Sequence, residues 1–453
     1  MIAVVGLAAS GQAAARLALE KGGEVHVSDL RTDAATHARG AELRALGVTV
    51  DLGEHSVDRI AGATTVVVSP GIRPDAPVLQ ELGERRIRWI SEPEFAFRFF
   101  DGPLIAVTGT NGKTTTATLV AHLLEEDGLD VALGGNIGAA FGPPACELAL
   151  RERSPAWYVV EMSSFQLAAI DRFKPDIGVM TNLASDHLDW YPSVDSYYAD
   201  KANLFRNSDN DSRWVLNGDD AAVAVLVEGV PGRHFYFGAT NSGRPGAYLE
   251  GDTLTIDLSG VVEVLGHVED IKLLGAHNLE NALAAVTTAR LAGASTGSIR
   301  RGLAKAEALP HRTEQVAEAK GVRWVNDSKA TNVAAARTAI SSLDGVLLVL
   351  LGGKDKGEDF STLVGALSEA DARVLAFGQA GPRIFQALDG HVAVELLSGG
   401  FDEVMATAAQ RAARGTTVLL SPACSSYDMF TSYEERGARF TALAKALSED
   451  AER

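Results

Sequence analysis

Short apolar runs separated by glycine turns and amphipathic stretches begin at the first residues. IAVV (Ile2–Val5) leads through a glycine-containing turn into the helical stretch AAARLALEKG and a second apolar run, EVHVSD. TTVVVSPG (Thr64–Gly71) and a segment ending near Glu94 complete a first block. Strand–helix–strand alternation of this kind predicts a parallel sheet. A second block opens on LIAVTGTNGKTTT with a helix to about Asp127 and continues with strands VALGG, WYVVE and DIGVMTN. The stretch Trp214–Ile256 predicts an antiparallel patch, and a helix from about Asn278 to Leu291 follows. Near LPHR (Leu309–Arg312) a third block starts: VRWVND, a helix, VLLVLLGG, a helix, RVLAFG, a helix, TTVLLSPAC and a last helix ending near Leu447. No repeat of solenoid period and no low-complexity segment interrupts the pattern. The expectation is an α/β protein of three domains, 1–96, 97–308 and 309–453, holding substrate in the clefts between them.

Composition narrows the function. The 453 residues are 46% hydrophobic and 22% charged, as in a soluble globular protein. A net charge of −18, with no Lys/Arg run, argues against a nucleic-acid partner. Anionic ligands must be held by local groups against the overall field. Two distant cysteines, Cys146 and Cys424, without metal spacing, fit a reducing compartment. The start MIAVVGLAASG lacks the basic and apolar regions of a signal peptide, and no apolar run is long enough for a bilayer. A cytosolic monomer without membrane contact is expected.

Candidate chemistry is expected at strand ends, where open α/β sheets bind ligands. In GTNGKTTT (Gly109–Thr116), Gly109 precedes Gly112-Lys113-Thr114 by only three positions, so the loop is shorter than the common phosphate-binding one. Gly109, Thr110, Asn111 and Gly112 would expose N–H groups ahead of a helix N-terminus. Lys113 would reach the β/γ-phosphates, and Thr114, followed by Thr115, would offer a hydroxyl to Mg²⁺. The alternative is an ordinary turn with a surface lysine; the preceding strand and the threonine-rich helix start favour phosphate. Glu161 ends the apolar run WYVVE, either facing solvent or, beside a nucleotide, binding magnesium. His187, among Asn182, Asp186 and Asp189, reads alone as a loop histidine; with Glu161 and Thr114 it could complete a cation site. By helical spacing Lys201 is a surface lysine.

Asn278 and Asn281 lie three apart on one helix face, where amides can read an adenine edge, although helix capping by Asn278 is the stronger reading in isolation. Arg312, and then Asp327, Lys329 and Thr331 in VNDSKATN, fit anion binding or a tight turn equally. LLGGKDKGEDF carries Lys354 and Lys356, and SPACSSY carries Ser425, Ser426 and Tyr427, where backbone N–H groups could hold a carboxylate. GLAASG (Gly6–Gly11) is a weak relative of G-x-G-x-x-G, with Ala8 in place of the second glycine. Asp29 ends the second strand, where it could meet a ribose hydroxyl, and Arg31 and Thr32 follow. A nucleotide diphosphate held differently from a dinucleotide and a plain structural turn both remain open.

Together GTNGKTT, VVEMSSFQL, TNLASDHLDWYPS, LGAHNLENALA, LPHR, NDSKATN, LLGGKDKGEDF and LLSPACSSYDMF resemble the Mur ligase family, in order and over nearly the whole chain. GTNGK alone marks the wider superfamily that includes folylpolyglutamate synthase; NDSKATN and SPACSS are the specific segments. The resemblance implies a Rossmann-like N-terminal UDP-binding domain, a central P-loop-type ATPase domain and a Rossmann-like C-terminal domain. It implies ATP and Mg²⁺, the substrates UDP-N-acetylmuramoyl-L-alanine and D-glutamate, an acyl-phosphate intermediate, and cytoplasmic peptidoglycan precursor synthesis. By matched position, Lys113 and Thr114 hold phosphates and metal, and Glu161 and His187 are metal ligands. Lys201 matches a lysine that the family carbamylates to help bind a second Mg²⁺. Asn136 contacts the sugar substrate. Asn278, Asn281, Arg312, Asp327 and Lys329 contact the nucleotide. Thr331, Lys356, Ser426 and Tyr427 surround D-glutamate, and Asp29, Arg31, Thr32 and Gly71 cradle UDP. Ala8 and Ala9 depart from the expected glycine-like turn, and Tyr427 and Tyr433 stand where Leu and Phe are expected. Another Mur ligase, a folate-type ligase and a silent ATP-binding relative are the competing readings. SPGI and the UDP-like first block oppose the folate reading.

Overall fold

The apolar runs become buried, mostly parallel strands. The structure is a computed structural model that describes residues 1–187, 190–271 and 273–452, the last five as backbone only. The chain forms two units: Met1–Asp270 with Asn281–Ala304, and Ile271–Glu280 with Lys305–Arg453.

The first unit holds two sheets. One is five-stranded and parallel, ordered Thr49–Leu52, Val25–Asp29, Ile2–Val5, Thr65–Val68, Ile90–Ser91. Alternation assigns its faces: Ala3, Val5, Val66 and Val68 pack with Ile60, Leu79 and Leu82, while Val4, Val27, Val50 and Val67 join the core under helix Ala9–Glu20. Gly11, in that helix's first turn, leaves no room for a side chain, since a Cβ would lie 1.9 Å from the Gly6 carbonyl oxygen. The helix therefore starts hard against the end of the first strand.

The second sheet has nine strands, ordered Val262–His267, Thr253–Asp257, Gly246–Glu250, Arg233–Gly238, Arg213–Asn217, Ile177–Met180, Leu104–Thr108, Trp157–Glu161, Val131–Gly135. The antiparallel patch expected over Trp214–Ile256 is corrected here. Arg213–Asn217 and Arg233–Gly238 run parallel to Ile177–Met180 and extend the sheet, as does Gly246–Glu250. Helix Ala221–Leu226 lies in the connection that turns the chain back. Antiparallel pairing begins only between Gly246–Glu250 and Thr253–Asp257. Apolar alternation looks the same in both directions; the connection decides.

Helix Glu92–Phe97 links the two sheets through two buried carboxylates. Glu94 accepts the N–H groups of Asp171, Arg172 and Phe173 at 3.0, 3.0 and 2.7 Å. Glu92 accepts the N–H of Cys146.

The second unit is one six-stranded sheet, ordered Glu314–Ala319, Val322–Asn326, Thr416–Leu420, Val346–Gly352, Arg373–Phe377, Ala393–Leu396. It is parallel except for the first pair. The last helix, Tyr433–Glu452, runs past the expected end at Leu447. Both cysteines are buried free thiols. Among the described residues no helix is long and apolar enough to cross a membrane.

Candidate functional site

Strand Leu104–Thr108 is buried along its whole length and delivers the chain to the short loop, after which helix Lys113–Glu126 begins. Gly112 caps the helix at φ +81°, and a Cβ there would meet the Asn281 Oδ1 at 2.1 Å. Glycine is thus what lets the Asn281 amide press against the loop; the same Oδ1 accepts from the Thr116 hydroxyl at 3.3 Å. Thr110 and Asn111 were expected to expose their N–H groups. Instead they donate them to the Asn182 backbone and side-chain oxygens at 2.8 and 2.9 Å. The N–H groups of the helix's first turn, which have no partner inside a helix, stand where an anion would meet them. Lys113 folds back, its Nζ donating to the Thr110 carbonyl at 2.8 Å.

Glu161, at the end of strand Trp157–Glu161, is 2% exposed, so the solvent-facing reading fails. Its Oε2 accepts the Thr114 hydroxyl at 2.6 Å, and its Oε1 is 3.5 Å from the Asn136 amide nitrogen. A hydroxyl and a carboxylate at one point are the oxygen donors a hard cation takes. Among the described residues no three His, Cys, Asp or Glu side chains group as metal ligands. His187 takes a left-handed backbone, φ +54°, with its ring edge-on to Phe165 at 5.2 Å and its Nε2 3.8 Å from Asp186. Asp189, expected beside it, lies outside the described residues.

Lys201 overturns the surface expectation: it is 1% exposed. Its Nζ donates to the Gly109 carbonyl at 2.6 Å and sits 4.6 Å from the centre of the Tyr197 ring. Burial, reinforced by the charge of Lys113, pulls its pKa well below the ordinary lysine value, against Asp186, Glu161 and Asp200. Tyr197, one turn earlier and 2% exposed, marks the buried face of helix Val194–Ala202. That i,i+4 pairing is visible in the sequence, but it does not show that the face is covered.

In the first sheet Asp29 accepts the Leu7 N–H at 2.6 Å and the Arg31 guanidinium at 2.7 and 3.1 Å. Burial pushes its carboxyl up, but the Arg31 and Leu7 hydrogen bonds outweigh this and hold it below the usual range. Asp29 therefore braces the glycine turn. Thr32 and Gly71 are exposed at the same carboxyl ends of strands.

In the second unit Asp327 follows strand Val322–Asn326 and is buried. It accepts the Ser421 hydroxyl at 2.8 Å and the Thr313 N–H at 3.2 Å. Burial pushes it up to about 7, partly offset by Ser421, Thr313 and Arg312. Arg312 stands between two left-handed residues, His311 at φ +65° and Thr313 at φ +47°. LPHR thus follows helix Thr296–Lys305, not a strand. Lys329 Nζ lies 4.0 Å from the Tyr433 ring centre. Thr331 is half-buried, Lys356 and Tyr427 are exposed, and Ser426 is buried with its carbonyl accepting from Met429 and Phe430. Asn278 is the third residue of helix Ala276–Leu291 and donates to the Leu274 carbonyl at 2.8 Å, so the capping reading is wrong. Sequence reasoning missed Arg436. It is 1% exposed and donates to Ser328, Cys424 and Gly352 carbonyls, tying three strand-end segments together. Burial lowers its pKa to about 10. An arginine in a charged helix carries no local mark of this.

Parallel sheets, a short glycine loop ahead of a helix, and a buried carboxylate on the loop's threonine define an α/β protein of Rossmann-like architecture. Three family models match: "Mur ligase MurD-like, N-terminal domain" over residues 1–91, "Mur ligase middle domain" over 107–289 and "Mur ligase, glutamate ligase domain" over 311–424. UDP-N-acetylmuramoylalanine–D-glutamate ligase of Acidobacterium capsulatum is 40% identical over 98% of this chain and 96% of its own length. That of Geobacillus kaustophilus is 38% identical over 97% and 96%. Among solved structures, MurF of Thermotoga maritima in complex with ADP aligns with TM-score 0.62 at 18% identity, covering 94% of this chain and 95% of that one. UDP-N-acetylmuramate–alanine ligase MurC of the same organism aligns at 0.60 and 19%, covering 98% and 99%. The chain belongs to the Mur ligase family.

Proposed function

We propose that this protein is an ATP-dependent ligase that joins D-glutamate to UDP-N-acetylmuramoyl-L-alanine by an amide bond. The observation that carries the reading is the near full-length identity to ligases of that name. The first 96 residues would bind the nucleotide sugar, 97–308 ATP, and 309–453 the amino acid. The substrate's alanyl carboxylate resists attack by an amine because it is an anion with no leaving group. Its oxygen attacks the γ-phosphorus of ATP, the bond to ADP breaks, and an acyl phosphate forms. The glutamate nitrogen then adds to the carbonyl carbon. Phosphate leaves, and the nitrogen loses its proton to complete the amide.

Lys113 and the first-turn N–H groups supply fixed positive charge where negative charge gathers on the transferring phosphoryl group. Thr114 and Glu161 would hold Mg²⁺, whose charge offsets that of the phosphates. His187 and Asn136 take the metal and sugar roles of the resemblance, and Asn278, Asn281, Arg312, Asp327 and Lys329 contact the nucleotide. Lys201 is suited to carbamylation because burial lowers its pKa and so favours the neutral amine, the form that reacts. That amine adds to CO₂, forming an N–C bond and releasing a proton. Exposed Lys356 and Tyr427, with Thr331 and Ser426, would receive D-glutamate.

The test is phosphate release with ATP, Mg²⁺ and UDP-N-acetylmuramoyl-L-alanine against a panel of D- and L-amino acids. Release with D-glutamate alone, and a product heavier by one glutamate residue, is expected. Release with a different amino acid would discard the assigned specificity. ATP binding without release would indicate a silent relative.

A further inference from the structure

Asp327 is the end of a chain of polar groups that runs back to helix Ala276–Leu291. His277, the second residue of that helix, has its Nε2 3.2 Å from the Thr313 hydroxyl. Its Nδ1 is enclosed and has no hydrogen-bond partner. Thr313 is 1% exposed. It donates its N–H to the Asp327 Oδ1 at 3.2 Å and places its hydroxyl 3.5 Å from the same oxygen, while Ser421 donates to Oδ2 at 2.8 Å.

Above its pKa of about 7 the Asp327 carboxylate only accepts, so in that state the Thr313 hydroxyl proton turns toward Oδ1. The hydroxyl oxygen then accepts from His277, which must be the neutral Nε2–H tautomer. This leaves the enclosed Nδ1 as a bare acceptor. Burial holds the imidazole in that neutral form, lowering its pKa to about 4.

Two costly features meet at this point. Thr313 is β-branched yet left-handed at φ +47°, a strained conformation for such a residue. Asp327 is a carboxylate removed from water. A loop with only a packing role would put glycine at the first position and an amide at the second. What the arrangement secures is one fixed carboxylate direction, next to Arg312.

We propose that His277 and Thr313 are positioning residues for the nucleotide: they hold the Asp327 carboxylate in the direction from which it accepts a hydroxyl of bound ATP. This rests on the reading of Asp327 as a nucleotide contact. Arg312 and Arg436 act on Asp327 through their charges, and neither is altered in the test.

The experiment measures ATP affinity of the full-length chain by titration calorimetry between pH 5.5 and 8.5, independently of ligase turnover. Thr313→Val keeps the branched shape and removes the hydroxyl; Thr313→Ser keeps the hydroxyl; His277→Phe keeps the ring without its nitrogens. Losing the His277–Thr313–Asp327 link predicts about tenfold weaker ATP binding for Thr313→Val and His277→Phe. Thr313→Ser should bind within about twofold of wild type. In Thr313→Val the carboxylate also loses a donor, so its pKa rises and the acid-side fall in affinity moves to higher pH. A purely structural role would weaken Thr313→Ser as well and leave the pH profile in place, which would overturn the proposal. Unchanged affinity in Thr313→Val and His277→Phe would do the same. Asp327→Asn separates the two layers. If it binds ATP normally, the nucleotide assignment itself fails. If it binds poorly while Thr313→Val and His277→Phe bind normally, only the positioning role fails. Should Thr313→Val not fold by circular dichroism, His277→Phe and Thr313→Ser decide between these outcomes.

Discussion

Lys113 and Lys201 close on backbone carbonyls of the same loop, Thr110 and Gly109. They do so in different surroundings. Lys113 is half-buried and Lys201 almost wholly enclosed. Burial and the neighbouring charge of Lys113 favour the neutral amine on Lys201. Lys113→Ala should therefore lower phosphate release at least about 10²-fold with the far-ultraviolet circular dichroism unchanged. Near-normal turnover would remove the loop from phosphoryl transfer. Lys201→Ala should be comparably inactive, and short carboxylic acids added in trans should restore part of the activity if a carbamate is the working group. Full activity without any additive would exclude Lys201 from the site. The place of Lys113 at the start of a helix, directly after a glycine, was legible. Lys201 was not, because helical spacing alone cannot say that a second wall covers the face shared with Tyr197.

At the scale of elements, helix Ala9–Glu20 shows how a turn sets a sheet's geometry. Its first turn touches the Gly6 carbonyl through Gly11, and Asp29 staples the same turn through the Leu7 N–H. Gly11→Ala forces a Cβ into a backbone oxygen and should destabilise the first unit by roughly 1–3 kcal/mol, read as a lower urea midpoint. An unchanged midpoint would mean that the helix start can shift at no cost. The individual elements were mostly legible, because apolar runs of four to seven residues between glycine turns have few other uses. Short edge strands such as Ala393–Leu396, with little burial, gave no such signal. The direction of Arg213–Asn217 and Arg233–Gly238 was misread for the reason seen in the sheet: pairing direction is a property of the connection.

For the whole molecule, stability should depend on pH through Glu92, which is buried, is pushed up to about 7 by that burial, and leaves its Oε2 without a partner. The unfolded chain releases this proton near the reference value of 4.5 and the folded chain near 7. The folded state thus binds more protons between these values, and stability falls as pH rises through the window, by about 3 kcal/mol at most. Glu92→Gln lacks this loss. Its urea midpoint relative to wild type should rise steadily from pH 4.5 to pH 8 and level off above. Parallel curves for the two proteins would show that Glu92 is ionised in the fold throughout. A denaturation transition monitored this way reports the first unit, where Glu92 anchors the helix between the sheets.

The sequence by itself determined the α/β class, the order of the strands along the chain, the glycine loop between strand and helix, and the family. Each of these is written in local pattern: apolar runs, glycine position, and short segments in a fixed order. Only the tertiary structure decided that Lys201 is buried and that Thr110 and Asn111 give their N–H groups to Asn182. It alone put Thr114 on Glu161, and joined His277, Thr313 and Asp327 in one chain of contacts. These pairs lie 14 to 92 residues apart, as in Thr313–Asp327 and Lys201–Gly109. No local pattern carries burial or hydrogen-bond partnership across such distances, because both are set by which other segments close over a side chain.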